Sequence, residues 1–306
     1  MKKLLVLCLL LCLVGCSSND SKVRVGVVQL LNHDALNKAT QGFVDVVDGE
    51  FGENTCDVKI AGGESSQCGN IASVFLADNV DLIMCNATPA LVITSQATKD
   101  VPILGTSVTD YEDALGVIPS NVSGTSDKAP LNEQAQMLID LLPNAKNIGI
   151  LYCSSESNSE YQVEIIEDYL KSKGLNAIRF GFVDTDNLPS TLESACSNSD
   201  ALFIPTDNKC ADNASSIKKI ADEYKVPIIA GEESIFKGVG GLATLSINYY
   251  ELGRKTGEMA IRILKGEEKI SDMEIEYDTK LSKFYSKEVA EKYNVTIPAD
   301  FVEIGE

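Results

Sequence analysis

DLIMCNATPALVITSQATKDVPILG, residues 81–105, reads as a strand, a turn, a helix and a second strand. The apolar run 82–84 shows no alternation, as expected of a parallel strand buried on both faces. Thr88 and Pro89 look like an N-cap followed by proline at the first helical position, so a helix opens directly off a strand end. The pattern returns 119 residues later: DALFIPTDN begins at Asp200, and KVPIIAG from Lys225 answers KDVPILG from Lys99. One α/β unit is written twice in this chain.

Working outward, residues 23–29 (VRVGVVQ) form a β-branched strand, and 34–48 a helix with Ala35, Ala39, Phe43, Val46 and Val47 on one face. A strand over 57–60 and a helix over 66–77 complete a βαβαβαβ series, which implies a parallel sheet with right-handed crossovers. After NVSGTSD (121–127) the pattern restarts, with a helix over 131–142 stopped by Pro143 and a strand over 147–152 that echoes VRVGVVQ. Gly26 and Gly149 fall in register at an offset of 123. Strands over 177–183, 201–204 and 226–230, and helices over 188–196 and 208–224, complete the second series. The tail reads as a strand (241–247), a helix (249–264) and a strand (273–277), and begins no third unit.

The N-terminus reads as an export signal. Lys2 and Lys3 precede an apolar run over 4–14, too short to span a bilayer and right for a signal-peptide core. Leu13-Val14-Gly15-Cys16 resembles a bacterial lipoprotein processing box, which makes residues 1–15 a signal peptide, Cys16 the lipidated residue and 16–21 a polar tether; an ordinary cleaved signal is the alternative. Loss of Lys2 and Lys3 moves the net charge from −19 to −21, and a chain this acidic repels phosphate backbones. Cys56, Cys68, Cys85, Cys153, Cys196 and Cys210 remain. An oxidising compartment would allow Cys56 to pair with Cys68, or Cys196 with Cys210, whereas Cys85 and Cys153 read as buried thiols; no spacing forms a metal knuckle.

VGVVQLLNHDALNKATQGF (25–43), DLIMCNATPA (81–90), NVSGTSD (121–127), LLPNAKNIGILYCSSESNS (141–159), FIPTDN (203–208), VPIIAGEES (226–234) and INYYELGRKTGEMAIRILKGE (247–267) occur in this order. Together they resemble the substrate-binding lipoproteins of ABC importers, in the family whose members bind aromatic amino acids such as tryptophan. The resemblance implies a type I periplasmic-binding-protein fold: two Rossmann-like lobes with parallel sheets, a ligand cleft and a three-strand hinge. It places 22–124 with 243–270 in the N-terminal lobe and 125–242 with 271–306 in the C-terminal lobe. It implies a monomer held to the membrane by its lipid, a partner permease and ATPase, and no cofactor. His33-Asp34-Ala35-Leu36-Asn37 departs from the His-Pro-Ala-Leu-Asp common in relatives, which bears on ligand identity.

Ligands of open α/β sheets bind beyond the carboxyl ends of the strands. An amino-acid zwitterion needs amides and hydroxyls for its carboxylate and an acid for its ammonium. The helix starts at Thr88 and at Ser157, Asn158 and Ser159 suit the carboxylate, or Thr88 and Ser159 cap their own helices. Asp207 and Glu233 are the candidates for the ammonium, with Asp207 alternatively a helix cap and Glu233 alternatively solvated. Gln29, Asn32, Asn86, Thr109 and Asn208 are further polar seats. With no tryptophan in the chain, Tyr111, Tyr161 or Phe236 would stack against an aromatic ligand, with ordinary packing the alternative for each.

Enzyme chemistry finds little support. His33 is the one histidine, and it reads as polar loop surface; there is no G-x-S-x-G elbow, phosphate loop or HExxH. A sensor ectodomain of the same fold, or a receptor for a different small solute such as a smaller or aliphatic amino acid, is the alternative to an importer receptor for an aromatic amino acid.

Overall fold

Both copies of the repeated unit fold as expected, in a computed structural model that describes residues 22–277 and 280–304. The first series comprises β1 (Val25–Gln29), α1 (Asp34–Phe51), β2 (Cys56–Ile60), α2 (Ser65–Ala77), β3 (Leu82–Asn86), α3 (Thr88–Ala97), β4 (Ile103–Val108), α4 (Tyr111–Leu115) and β5 (Val122–Ser126). The second comprises α5 (Leu131–Leu141), β6 (Asn147–Cys153), α6 (Ser157–Ser172), β7 (Asn176–Phe182), α7 (Leu188–Asn198), β8 (Ala201–Ile204), α8 (Asn208–Asp212), α9 (Ala214–Tyr224), β9 (Ile228–Ala230), α10 (Glu233–Val239) and β10 (Ala243–Ser246). The tail adds α11 (Tyr249–Leu264), a 3-10 turn (Ile270–Asp272), β11 (Glu276–Tyr277), β12 (Ser282–Tyr285), α12 (Lys287–Tyr293) and β13 (Val302–Glu303).

The sheet orders expose the duplication. One sheet runs β11-β5-β4-β3-β1-β2 and the other β13-β12-β10-β9-β8-β6-β7, so β2-β1-β3-β4-β5 is matched by β7-β6-β8-β9-β10. All pairings in the first sheet are parallel, and in the second only β10 with β12 is antiparallel. In each copy the strand order reverses beside the first strand, and this is where an open α/β sheet forms its ligand crevice.

The unalternating apolar strand has the predicted cause. Leu82 and Met84 join Val25, Val27, Phe43 and Leu104 on one side of the sheet, while Ile83 and Cys85 join Val28, Phe75 and Leu91 on the other. The edge strand β2 is partly exposed, and there Val58 and Ile60 reach solvent. The six cysteines from Cys56 onward are all free thiols, five of them buried. Burial pushes the Cys68 and Cys196 thiols up to about 11 and Cys85 up to about 12, so they remain protonated packing groups.

Two boundaries differ from the expectation. Residues 243–246 form β10 beside β9 in the second sheet, so the crossing back to the first lobe falls after β10, and α11 then packs on α1. Residues 276–277 form β11 on β5 in the first sheet, so the third crossing follows β11. Strand propensity marked these segments as extended, but the partner sheet of a short strand is set by tertiary contact. The helix expected over 208–224 is broken at Asn213 into α8 and α9. The signal peptide, Cys16 and the tether lie outside the described residues, and no helix among the described residues is long and apolar enough to cross a membrane.

The α1–α11 contact anchors the first lobe and has no clearance. A Cβ on Gly253 would lie 1.9 Å from the Ala39 carbonyl oxygen, and one on Gly42 2.1 Å from that of Tyr250. Backbone cannot yield as a flexible side chain can, so Gly253→Ala should destabilise the protein by about 3 kcal/mol in urea unfolding. Gly49→Ala, where an added Cβ meets nothing within 4 Å, should leave stability unchanged or raise it by up to about 1 kcal/mol. Equal behaviour of the two variants would contradict close helix packing.

Candidate functional site

The carboxyl ends of β1 and β4 face those of β6, β8 and β9 across a narrow cavity. The first lobe contributes His33, Ala35, Leu36 and Ser107; the second contributes Asn158, Thr206, Asp207, Asn208, Ala211 and Glu232. Asp127 and Tyr249, on two of the crossing segments, form the rest of its wall. No lysine or arginine is among these lining residues.

Positive φ angles occur at two strand ends of the first lobe. Ala87, between β3 and α3, has φ 94°, and Ser107 has φ 53° at an irregularity in the β4–β5 register. Such positions cost about 1–3 kcal/mol each in residues other than glycine and persist where surrounding structure holds them. Ala87 occupies the cap position of α3, so Thr88 is the first helical residue rather than the N-cap expected from the sequence. The Thr88 hydroxyl is buried without a hydrogen-bond partner, as are Ser107 Oγ, Asn158 Oδ1 and His33 Nδ1. A native interior seldom leaves such atoms unpaired, and Ser107, Asn158 and His33, though not Thr88, are cavity-lining residues.

Gln29 and Asn32 are committed elsewhere, and Asn86 is committed through its amide nitrogen while its Oδ1 is unpaired. Gln29 Nε2 donates to Leu31 O at 2.6 Å and Asn37 Oδ1 at 2.8 Å, while its Oε1 accepts from Thr40 Oγ1 at 2.6 Å. Asn32 is exposed and accepts from Asn37 Nδ2, and Asn86 Nδ2 donates to Leu36 O and Thr40 Oγ1. These side chains fix the loop that carries His33.

The acids also change roles. Asp207 caps α8: its Oδ2 accepts from Cys153 N at 2.6 Å and its Oδ1 from Cys210 N at 2.8 Å. Glu233 lies at the rim, with Lys237 at 2.5 Å and Lys38 of the opposite lobe at 3.7 Å. Its neighbour Glu232 lines the cavity, but both its oxygens serve the first turn of α10. Asp127 differs from these acids. It is buried, with Thr109 Oγ1 donating to Oδ1 at 3.0 Å and Tyr249 OH to Oδ2 at 2.9 Å. Each oxygen thus retains acceptor capacity. Burial pushes its carboxyl up to about 6, against the two hydroxyl donors that favour ionisation.

Asn208 lies where the lobes meet. Its backbone N and Nδ2 donate to Glu156 Oε2 at 3.1 and 2.8 Å, and its Oδ1 faces His33 Nε2 at 3.2 Å. Burial and the nearby Asp207 carboxylate push Glu156 up to about 8. Of the three α6 residues singled out, Ser157 is exposed, Ser159 is buried, and Asn158 reaches the cavity while donating to Thr206 O at 3.2 Å.

Tyr111 bonds Thr125 O inside the first lobe, and Phe236 packs in the second-lobe core, so neither lines the cavity. Tyr161 belongs to a contact between the lobes: Lys128 Nζ lies 4.7 Å from its ring centroid, donates to its hydroxyl and pairs with Asp110 at 2.9 Å. The cavity-lining aromatic is Tyr249. The sequence did not single out the cavity-lining Tyr249, Asp127, Ser107 and Glu232, and His33 read as loop surface. Asp127 closes the quoted NVSGTSD, and an acid directly after a buried strand was a usable signal. Among the described residues, no group of histidine, cysteine, aspartate or glutamate could hold a metal ion.

A model of the ABC transporter substrate binding protein family matches residues 24–304. The chain is 34% identical over 278 residues to a tyrosine-binding protein of Clostridioides difficile, covering 83% of this chain and 80% of the relative. It is 31% identical to an ABC domain from Streptococcus pneumonia in complex with L-Trp, with a TM-score of 0.86 over 92% of this chain and 99% of the other. For the ligand-free, open structure of a Clostridium difficile substrate-binding protein with adhesive properties, the identity is 33% and the TM-score 0.69 over the same shares. With its duplicated α/β lobes and the cavity between their strand ends, the chain belongs to the ABC transporter substrate-binding proteins, solute receptors of the type I periplasmic-binding fold rather than enzymes.

Proposed function

We propose that this protein is an extracytoplasmic receptor, anchored by lipid on Cys16, that closes its lobes around an aromatic amino acid and delivers it to an ABC permease and ATPase. The observation that carries this reading is the buried Asp127 carboxylate, which faces a cleft without a lysine or arginine in its lining. An uncompensated buried acid is costly, and a ligand ammonium supplies the missing charge. Thr88, Ser107 and the first turn of α3 offer hydroxyls and a helix N-terminus for the ligand carboxylate.

A relative that binds tyrosine and a structural neighbour holding L-Trp support the aromatic class. The higher TM-score to the L-Trp complex than to the open structure supports a closed arrangement. Asp110, Lys128 and Tyr161 on one side, and Lys38 with Glu233 at the rim, are contacts that opening would break. Ligand contacts made by both lobes supply the differential affinity that favours closure.

Titration calorimetry across the twenty amino acids should show tight binding confined to one or more of tyrosine, tryptophan and phenylalanine. Absence of heat with these three would remove the aromatic assignment. Asp127→Asn keeps the shape and removes the charge, and should weaken binding by about 1.5–3 kcal/mol; undiminished affinity would place the ammonium elsewhere. Because ammonium recognition needs Asp127 ionised, affinity should be level above about pH 7. It should fall below pH 6, approaching about tenfold per pH unit. The Asp127→Asn protein should lose most of this pH dependence, and retention of the full fall would assign it to another acid.

A further inference from the structure

The orientation of Asn208 determines what His33 can do. Asn208 Nδ2 donates to Glu156 Oε2 at 2.8 Å, so its Oδ1 is the atom turned toward His33 Nε2 at 3.2 Å. An amide oxygen only accepts, so Nε2 must carry the proton of a neutral ring and Nδ1 must hold the lone pair. Glu156 is itself fixed by the backbone amides of Asn208 and Lys209, at 3.1 Å each. The tautomer of a first-lobe histidine is thus set by an acid of the second lobe, acting through an asparagine.

His33 lines the cavity, and its Nδ1 is buried with no partner among the described residues. Burial also lowers the imidazole pKa, against the Asn208 contact and the charges of Asp212, Asp34 and Asp207, which favours the neutral ring. A neutral buried acceptor selects a donor. The ammonium has a stronger seat at Asp127, where charge meets charge, so the donor left for His33 is carried by the ligand side chain.

We infer that His33 is a specificity-determining residue whose Nδ1 accepts a hydrogen bond from a neutral ring-borne O–H or N–H of the ligand, favouring a phenol or indole over a plain phenyl ring. This inference rests on the aromatic amino-acid reading above. Phenylalanine would leave Nδ1 buried and unpaired, whereas tyrosine and tryptophan each carry a ring donor. Asn37 and Gln29 hold the loop, and Asn208 with Glu156 are positioning residues that act through the ring.

The chain has a single histidine, so its ring nitrogens give an unambiguous nuclear magnetic resonance signature in the whole ¹⁵N-labelled protein. In the tyrosine or tryptophan complex near neutral pH, the resonances should report a proton on Nε2, with Nδ1 shifted upfield from its position in the phenylalanine complex. In calorimetry, His33→Ala should reduce the preference for tyrosine or tryptophan over phenylalanine by about tenfold. A proton on Nδ1, an identical Nδ1 resonance with all three ligands, or an equal loss of affinity for all three would overturn the inference while leaving the receptor reading intact. If none of the three binds the unaltered protein, the receptor reading itself fails, and the inference fails with it.

Discussion

The hydrogen bond from Tyr249 to Asp127 joins two of the three segments that pass between the lobes. Asp127 directly follows β5, and Tyr249 opens α11 shortly after β10. Asp127 N also donates to Val108 O, and Ser126 Oγ to Thr109 O, which ties the first crossing to the end of β4. A carboxylate buried at this point constrains both crossings and faces the cavity. Under the proposed function the groups that hold the hinge are also the groups that a ligand meets, and ligand charge would bear directly on the geometry between the lobes.

Closure needs such a central contribution because the rim contacts are weak individually. The Lys38–Glu233 pair is 3.7 Å apart with partly exposed side chains, and exposed pairs contribute about 0–1 kcal/mol. Lys128 is better placed, with Asp110 and the Tyr161 ring on two sides, but it too is partly exposed. Contacts of this strength can bias a two-state equilibrium without locking it, which suits a protein that must release what it binds.

The repeat made the fold legible. An apolar strand followed by Thr-Pro, answered 119 residues later, specified two parallel sheets, and α11 falls over the residues periodicity gave it. Lobe membership of β10 and β11 was not legible, because a strand of four residues and one of two carry no information about which sheet they will join. The site was legible as a set of loops and less so as a set of atoms. Asn158, Asp207 and Asn208 line the cavity, but Asp207 spends its acceptors on backbone amides and Gln29 spends its amide on its own loop. Those allocations depend on contacts such as that of Asp207 with Cys153, 54 residues away, which a local motif cannot encode.

His33 shows what remains once every local bond is assigned. Its loop is pinned from one side by Gln29 and Asn37, and its Nε2 is engaged from the other lobe by Asn208. Strain accumulates at Ala87, directly after β3, and at Ser107, within β4 and on the cavity wall. A fold that tolerates two unfavourable backbone conformations and several unpaired buried polar atoms around one cavity is unlike one optimised for stability alone. The duplicated sheets supply the rigidity that holds these features in place, and under the proposed function the unpaired atoms are what a ligand carrying its own charge and donors would satisfy.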